Sequence, residues 1–244
     1  MVILFAGPSL PATTSLPSPI VLRPPARCGD LLAALAERPA AIGLVDGLFE
    51  TAPSVWHKEI LYALEQGVPV YGAGSLGALR AAELAPFGMR GVGAVFAAYR
   101  NGLIERDDAV MVAHAPAELG HRALTIALVD AEAAIAACML PPSDRRRLIG
   151  LARGMPFRTR TWTAILDRFA AATGETRAAE AARQIATHAF SQKERDTALL
   201  VQTLAEPLPP MIVRPRTPMT PRFCALLDRR GPIRASDQRA GAPG

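Results

Sequence analysis

The stretch VPVYGAGSLGALRAAEL, residues 68–84, contains a strand, a turn and a helix in immediate succession. Its first residues are apolar enough for a buried strand, its glycines form a turn, and its alanines continue as a helix. Two other apolar runs, residues 2–9 and 41–47, end in the same kind of glycine turn, and helical patterns occupy residues 28–40 and 55–67 between the three runs. Strands that alternate with helices predict a parallel sheet.

The remainder of the chain continues this sheet briefly and then becomes helical. We expect a helix over residues 91–102 and a further strand over 109–115. From about residue 121 to residue 187 the pattern is helical, with breaks at Pro141/Pro142, Gly154/Pro156 and Gly174. The predicted fold is α/β, a small parallel sheet with flanking helices followed by a helical C-terminal half. The predicted divisions are an α/β core at 1–120, a helical region at 121–204 and a tail at 205–244.

Composition narrows the class of protein. The chain has 244 residues, of which 50% are hydrophobic, so it can bury a substantial core. No apolar run approaches the ~20 residues of a membrane helix, and the opening MVILFAGPSLP indicates a buried strand and not a signal peptide. We therefore expect a cytoplasmic protein that does not bind membranes. The three cysteines have no spacing typical of a metal site, and we predict none.

The net charge of +5 is concentrated in the C-terminal tail. From residue 205 onward seven arginines face three acidic residues, which leaves the rest of the chain close to neutral. Because the body lacks a basic face with interleaved aromatic residues, nucleic-acid binding is not indicated. The tail is rich in proline, and we predict that it is disordered.

Residues 72–77, GAGSLG, admit two interpretations. The three glycines spell G-x-G-x-x-G, a pattern of dinucleotide phosphate loops. Such a site requires an acidic residue about 20 positions later, where residues 92–100 read VGAVFAAYR. The alternative is a nucleophile turn that presents Ser75, with the amides of Leu76 and Gly77 as an oxyanion site. We favour the nucleophile turn, and we expect no bound cofactor.

Polar residues follow each of the three predicted strands. They are Ser9, Asp46, the triplet His57-Lys58-Glu59, and Ser75. Because the carboxyl ends of parallel strands meet at one edge of a sheet, we expect these residues to line one cleft. Turn and cap roles are the structural alternative for each residue taken singly.

Lysine is rare in this chain, which holds Lys58 and Lys193 among 27 basic residues. Unlike arginine, lysine can act as a base, so Lys58 at a helix start is the candidate general base for Ser75. We expect the two side chains to lie within hydrogen-bonding reach, either directly or through one water. His57 is a candidate for assisting proton transfer. Arg80 is a candidate for offsetting substrate charge, or else a helix ion pair with Glu83.

Several long motifs resemble TfuA-like proteins, the companions of YcaO enzymes in peptide backbone thioamidation. The resemblance covers roughly residues 1–125, and its motifs are GPSLP (7–11), LVDGLFE (44–50), VWHKEIL (55–61), GSLGALRAAEL (74–84), FGMRGVG (87–93) and YRNGLIERDDAV (99–110). It implies a hydrolase-like Ser/Lys site, Ser75 and Lys58 by motif, that cleaves the C-terminal thiocarboxylate of a ubiquitin-like sulfur carrier. The sulfide would pass to a YcaO enzyme. A non-catalytic adaptor that docks substrate or carrier on YcaO is the alternative.

Overall fold

The computed structural model describes residues 1–11, 14–48 and 52–230, and its centre is a parallel sheet. The strands are β1 (Val2–Phe5), β2 (Ile20–Arg23), β3 (Ala41–Leu44), β4 (Val70–Ala73) and β5 (Arg90–Val92). They form one five-stranded sheet in the order β2-β1-β3-β4-β5, and every neighbouring pair is parallel. The parallel sheet with flanking helices is confirmed, and β2 and β5 are strands that the sequence did not reveal.

The α-helices follow the bounds α1 (Asp30–Leu35), α2 (His57–Glu65), α3 (Leu76–Leu84), α4 (Ala94–Arg100), α5 (Leu128–Ala137), α6 (Pro142–Arg153), α7 (Trp162–Thr173), α8 (Glu175–His188), α9 (Gln192–Ala205) and α10 (Pro221–Arg230). Short 3₁₀ helices occur at Ala85–Phe87, Asp107–Ala109, Ala117–Leu119 and Phe157–Thr159. The helical C-terminal half is thus confirmed, with its breaks at the predicted prolines and glycines. Among the helices of the described residues, none is long and apolar enough to span a membrane.

The strand order creates a crevice at the carboxyl edge of the sheet. The chain passes from β1 outward to β2, returns past β1 to β3, and then continues in the other direction to β4 and β5. Connections therefore diverge between β1 and β3, which is where open α/β sheets place their ligands. The segments that follow β1, β3 and β4 all meet at this crevice.

Each face of the sheet is covered by different helices. On one face, Ile3, Phe5 and Ile42 belong to an apolar core completed by α1, α2 and α10. On the other face, Leu4 and Tyr71 pack with apolar residues of α9. Helix α9 is distant in sequence from the sheet, yet it closes this face and brings its first turn to the crevice.

Helices α5 to α8 build a second apolar core beside the sheet. Ile135, Leu148, Phe169 and Ile185, one from each helix, are buried in it. The bounds predicted for the α/β core and the helical region remain predictions.

Two predictions for the middle of the chain are wrong in part. The segment 91–102 begins as β5 and becomes helical only at Ala94. Residues 109–115 do not form a strand, although His114 makes one isolated bridge with Ala123. Ala109 and Val110 are buried in the second core and the following residues line a cavity, so the apolar composition reflects packing on two sides. Periodicity does not separate such a segment from a short strand.

The prediction of a disordered tail is wrong for α10. Residues 206–220 form no helix or strand, yet Arg90 donates hydrogen bonds to the carbonyls of Pro209 (2.9 Å) and Pro210 (2.6 Å). Helix α10 then buries Phe223 and Leu227 in the core of the first face. These two apolar residues stand four positions apart, one helical turn, and they hold the segment on the body. The last part of the predicted tail, 231–244, lies outside the described residues.

Candidate active site

The turn between β4 and α3 places Ser75 at the carboxyl edge of the sheet. Gly74 has a φ of +66°, a conformation that favours glycine, and Ser75 is the N-cap residue of α3. The glycines on either side serve close packing. A Cβ on Gly72 would overlap the carbonyl of Gly77, and one on Gly77 would overlap the carbonyl of Leu44. The G-x-G-x-x-G pattern is therefore explained by contact between helix and strands.

Ser75 faces a cavity of about 250 Å³. The cavity lies in the crevice of the sheet, with Pro8 after β1, Asp46 and Gly47 after β3, and Ser75 after β4. Its opposite wall comes from the helical half and the segment before it, namely Val110, Met111, Val112, Ala113, His114, Phe157, Arg158 and Lys193. The site is therefore built jointly by the sheet and the helices.

Lys193 is the lysine that reaches this cavity, and the sequence analysis did not assign it a role. Its Nζ donates a 2.9 Å hydrogen bond to the carbonyl oxygen of Val110. The hydroxyl of Ser75 donates to the same oxygen at 3.5 Å. Lys193 is 3% exposed and Ser75 4%, so both groups meet inside the protein. Lys193 is one of the two lysines in the sequence, so the rarity of lysine that singled out Lys58 could also have pointed to Lys193.

The predicted contact between Ser75 and Lys58 is wrong. Lys58 Nζ donates a 2.8 Å hydrogen bond to Thr220 Oγ1, in the turn before α10. Within the described chain Lys58 neither lines the cavity nor shares a hydrogen bond with Ser75. The reason is the course of the C-terminal segment, which packs against α1 and α2 and gives Lys58 a partner on that face.

Asp46 and Ser9 brace the turn that follows β1. Asp46 Oδ2 accepts hydrogen bonds from the amides of Gly7 (2.8 Å) and Ser9 (2.9 Å), and Oδ1 accepts one from Ser9 Oγ at 2.7 Å. Asp46 lines the cavity as predicted, with its carboxylate engaged by the protein. Ser9 does not line it. It faces a second cavity of about 360 Å³, which also includes Lys193.

The predicted oxyanion donors have different surroundings. The amide of Gly77 donates a 2.9 Å hydrogen bond to the carbonyl of Val45, so its assignment as an oxyanion donor is wrong in this structure. The close packing of α3 against β3 accounts for that bond. Leu76, the first residue of α3, has an amide that meets no acceptor in the part of the chain that the structure describes. A helix start is a favourable place for a developing negative charge.

His57 and Arg80 are not in the cavity. His57 Nε2 and Arg80 Nη1 each lie 2.8 Å from Glu83 Oε2, where α2 meets α3. Burial by itself raises the pKa of Glu83, but the hydrogen bonds from His57 and Arg80 outweigh it and the pKa is lowered. The helix ion pair between Arg80 and Glu83 was one of the two alternatives for Arg80, and it is confirmed.

Asp130 positions the turn that carries Lys193. Its Oδ1 accepts the amide of Lys193 at 3.0 Å, at the start of α9. Burial raises the pKa of Asp130, and the charge of Lys193 offsets part of that increase. The carboxyl thus caps α9 from α5 and orients the lysine toward Ser75. No sequence pattern connects Asp130 with Lys193, because the two residues meet only through packing.

Comparison with known proteins confirms the resemblance to TfuA-like proteins, but over different residues from the expected range of roughly 1–125. No curated protein matches the chain. The family model of the TfuA-like proteins matches residues 46–161, a segment that contains Ser75 and most of the cavity wall. Lys193 lies beyond the match, on the helix that closes the second face of the sheet. The match over residues 46–161 supports the identification of this chain as a TfuA-like protein.

Proposed function

We propose that the protein hydrolyses the C-terminal thiocarboxylate of a ubiquitin-like sulfur carrier and supplies sulfide to a YcaO enzyme. The match of residues 46–161 to the TfuA-like family supports a role in peptide thioamidation. The hydrolytic step is our inference, and one observation carries it. Ser75 and Lys193 converge on the carbonyl oxygen of Val110 inside a cavity at the ligand-binding edge of an α/β sheet. The site would operate in the cytoplasm with its YcaO partner.

The acylation step uses Ser75 as nucleophile and Lys193 as base. Neutral Lys193 accepts the proton of Ser75 Oγ while Oγ attacks the thiocarboxylate carbon. The carbon–sulfur bond then breaks, and the proton passes from Lys193 to the sulfur. Hydrosulfide leaves, and an ester joins the carrier to Ser75. A neutral amine keeps hydrogens to donate to Val110 and has a lone pair for the serine proton.

The deacylation step restores the enzyme. Lys193 takes a proton from water, and the water oxygen attacks the ester carbon. The bond to Ser75 Oγ breaks, Oγ regains a proton, and the carrier leaves with an ordinary carboxylate. One proton passes to solvent, so each cycle consumes one thiocarboxylate and one water. The amide of Leu76 is the donor for the oxyanion in both steps.

A non-catalytic adaptor is the second candidate. Ser75 is 4% exposed, and the Gly77 amide is already bonded to Val45, so fewer groups are free for catalysis than the turn implies. An adaptor would position the carrier on YcaO without cleaving it. The two functions differ in whether the Ser75 hydroxyl is required.

The deciding experiment compares Ser75→Ala with Ser143→Ala, an exposed serine of α6 that serves as the matched control. Sulfide release from a thiocarboxylated carrier is measured for each variant, and YcaO binding is measured separately. We expect Ser75→Ala to reduce release at least about 10²-fold with YcaO binding intact, because the nucleophile is lost. Undiminished release by Ser75→Ala would reject the hydrolase and leave the adaptor.

A further inference from the structure

A second cavity adjoins the Ser75 cavity at Lys193. It has a volume of about 360 Å³, and the residues that line both cavities are Pro8, Val112 and Lys193. The Nζ atom of Lys193 donates to the carbonyl oxygen of Val110, which also accepts the Ser75 hydroxyl. Among the described residues, Ser75 lines the first cavity and not the second. The base of the proposed reaction therefore stands in the wall between the two cavities.

The lining of the second cavity suits water. Five of its residues have oxygen in their side chains, namely Ser9, Thr125, Asp130, Ser191 and Glu194. A water molecule occupies about 30 Å³ in the liquid and needs polar partners when it is enclosed, so the second cavity has both the room and the lining for several waters. Asp130 and Glu194 are acidic, which disfavours an anionic thiocarboxylate there. The second cavity is thus better suited to water than to the end of the carrier.

Deacylation needs water at a time when the carrier is already in place. In the proposed reaction the carrier is then esterified to Ser75, so its end occupies the cavity of about 250 Å³. Because Ser75 is buried, an ester on its Oγ has little contact with bulk solvent. A water that arrives from the second cavity instead meets Lys193 first, and Lys193 is the group that must take its proton.

From this arrangement we infer that the second cavity supplies the water of deacylation, separately from the cavity that holds the carrier. The inference rests on the proposed function, because it concerns the second half of that reaction. The proton of this water passes to neutral Lys193, its oxygen bonds to the ester carbon, and the bond from that carbon to Ser75 Oγ breaks. The cavity can be refilled from solvent, since two of its lining residues, Ala123 and Ala189, are exposed.

The test fills the second cavity and measures the two halves of the reaction separately. Ala189→Trp and Ala123→Trp each place a large ring on its lining, and both positions are exposed. Ala186→Trp is the matched control, because Ala186 is an exposed residue of α8 that does not line the cavity. Each protein is mixed with a thiocarboxylated carrier and quenched in acid at short times. Intact mass spectrometry then follows the formation and decay of the ester between carrier and enzyme, and far-ultraviolet circular dichroism establishes that each variant is folded.

We expect the ester to form within about twofold of the wild-type rate in both lining variants and to decay at least about tenfold more slowly, a smaller loss than the ~10²-fold or more expected without the base. Ala186→Trp should match the wild type in both rates. Wild-type decay in either lining variant, or an equal slowing of formation and decay, would overturn the inference. Failure of the hydrolase proposal is recognised separately, by undiminished sulfide release from Ser75→Ala and no ester in the wild type.

Discussion

The two lysines of this chain lie in regions of opposite character. Lys193 is 3% exposed, and its amine shares an acceptor with the Ser75 hydroxyl inside a cavity. Lys58 is half-buried on the outer face of α2 and bonds to Thr220 of the C-terminal segment. The same residue type therefore lines the candidate active site in one region and contacts the C-terminal segment in the other. The position in the fold, and not the rarity of lysine, determines which.

The first turn of α2 is built for stability. Glu59 is fully buried, and its carboxylate accepts the amides of Gly29 (2.8 Å) and Trp56 (3.0 Å), which links the starts of α1 and α2. Phe223 of α10 packs nearby, with the centre of its ring 6.0 Å from the centre of the Tyr62 ring. We therefore expect substitutions in this region to lower the free energy of unfolding, and substitutions at the cavity to reduce sulfide release.

The largest effect is expected when each lysine is replaced by methionine. Lys193→Met keeps the apolar length but removes the proposed base, so sulfide release should fall by about 10²- to 10⁴-fold. Lys58→Met should release sulfide within about twofold of the wild type, since Lys58 does not line the cavity. The assay is sulfide release from a thiocarboxylated carrier. A larger loss of sulfide release in Lys58→Met than in Lys193→Met would show that Lys58 is the base and would contradict the different roles assigned to the two lysines.

Next in size is the loss of a buried ring on α10. Phe223 is fully buried in the core of the first face, so Phe223→Ala should lower the free energy of unfolding by about 3–5 kcal/mol. Phe87→Ala is the matched control, because Phe87 is 47% exposed and should cost less than about 1 kcal/mol. Urea denaturation of both variants provides the measurement. Equal effects would mean that α10 does not hold Phe223 in the core.

The parts of the fold that could be predicted are those with a clear local sequence pattern. The stretches around β1, β3 and β4 combine apolar runs with glycine turns, so the parallel sheet was visible in the sequence. Strand β2, with its half-buried alternation, and the three-residue β5 are too short to stand out. Proline and arginine in the tail concealed the apolar pair that packs α10 on the body.

The site was predictable where residues share a turn and not where packing joins distant segments. Ser75 was identified because strand, turn and helix are adjacent in the chain. Lys193 lies 118 positions later, on a helix whose arrival at the sheet depends on the whole second face. Likewise, the Gly77 amide could be assigned to Val45 only from coordinates. Lys58 was the predicted partner of Ser75 because it is close in sequence, whereas in the folded chain the lysine beside Ser75 is Lys193.

An effect of pH on stability is expected from Glu59. Burial raises its pKa to about 7 from 4.5, although the amides of Trp56 and Gly29 oppose the increase. The folded state therefore holds this proton more tightly than the unfolded chain does. The resulting stabilisation is complete below pH 4.5 and is lost as the pH rises through 7, with a total of up to about 3 kcal/mol.

Glu59→Gln tests this effect because glutamine does not titrate. The free energy of unfolding is measured by urea denaturation at pH 5 and pH 8 for the wild type and the variant. We expect the wild type to lose more stability than the variant between these two values, whatever the variant's absolute stability. Glu37→Gln, at an exposed ion pair with Arg23, is the matched control. An identical pH dependence of the free energy of unfolding in the wild type and Glu59→Gln would contradict the raised pKa of Glu59.

The smallest expected effect belongs to the contact between Lys58 and Thr220. A hydrogen bond from a half-exposed lysine contributes about 0.5–1 kcal/mol, because water competes for both groups. Lys58→Met and Thr220→Ala should each lower the free energy of unfolding by that amount. The double variant should lose less than the sum, since either change already removes the bond. A double-mutant cycle in urea measures this coupling, and strict additivity would show that Lys58 holds the tail through something other than Thr220.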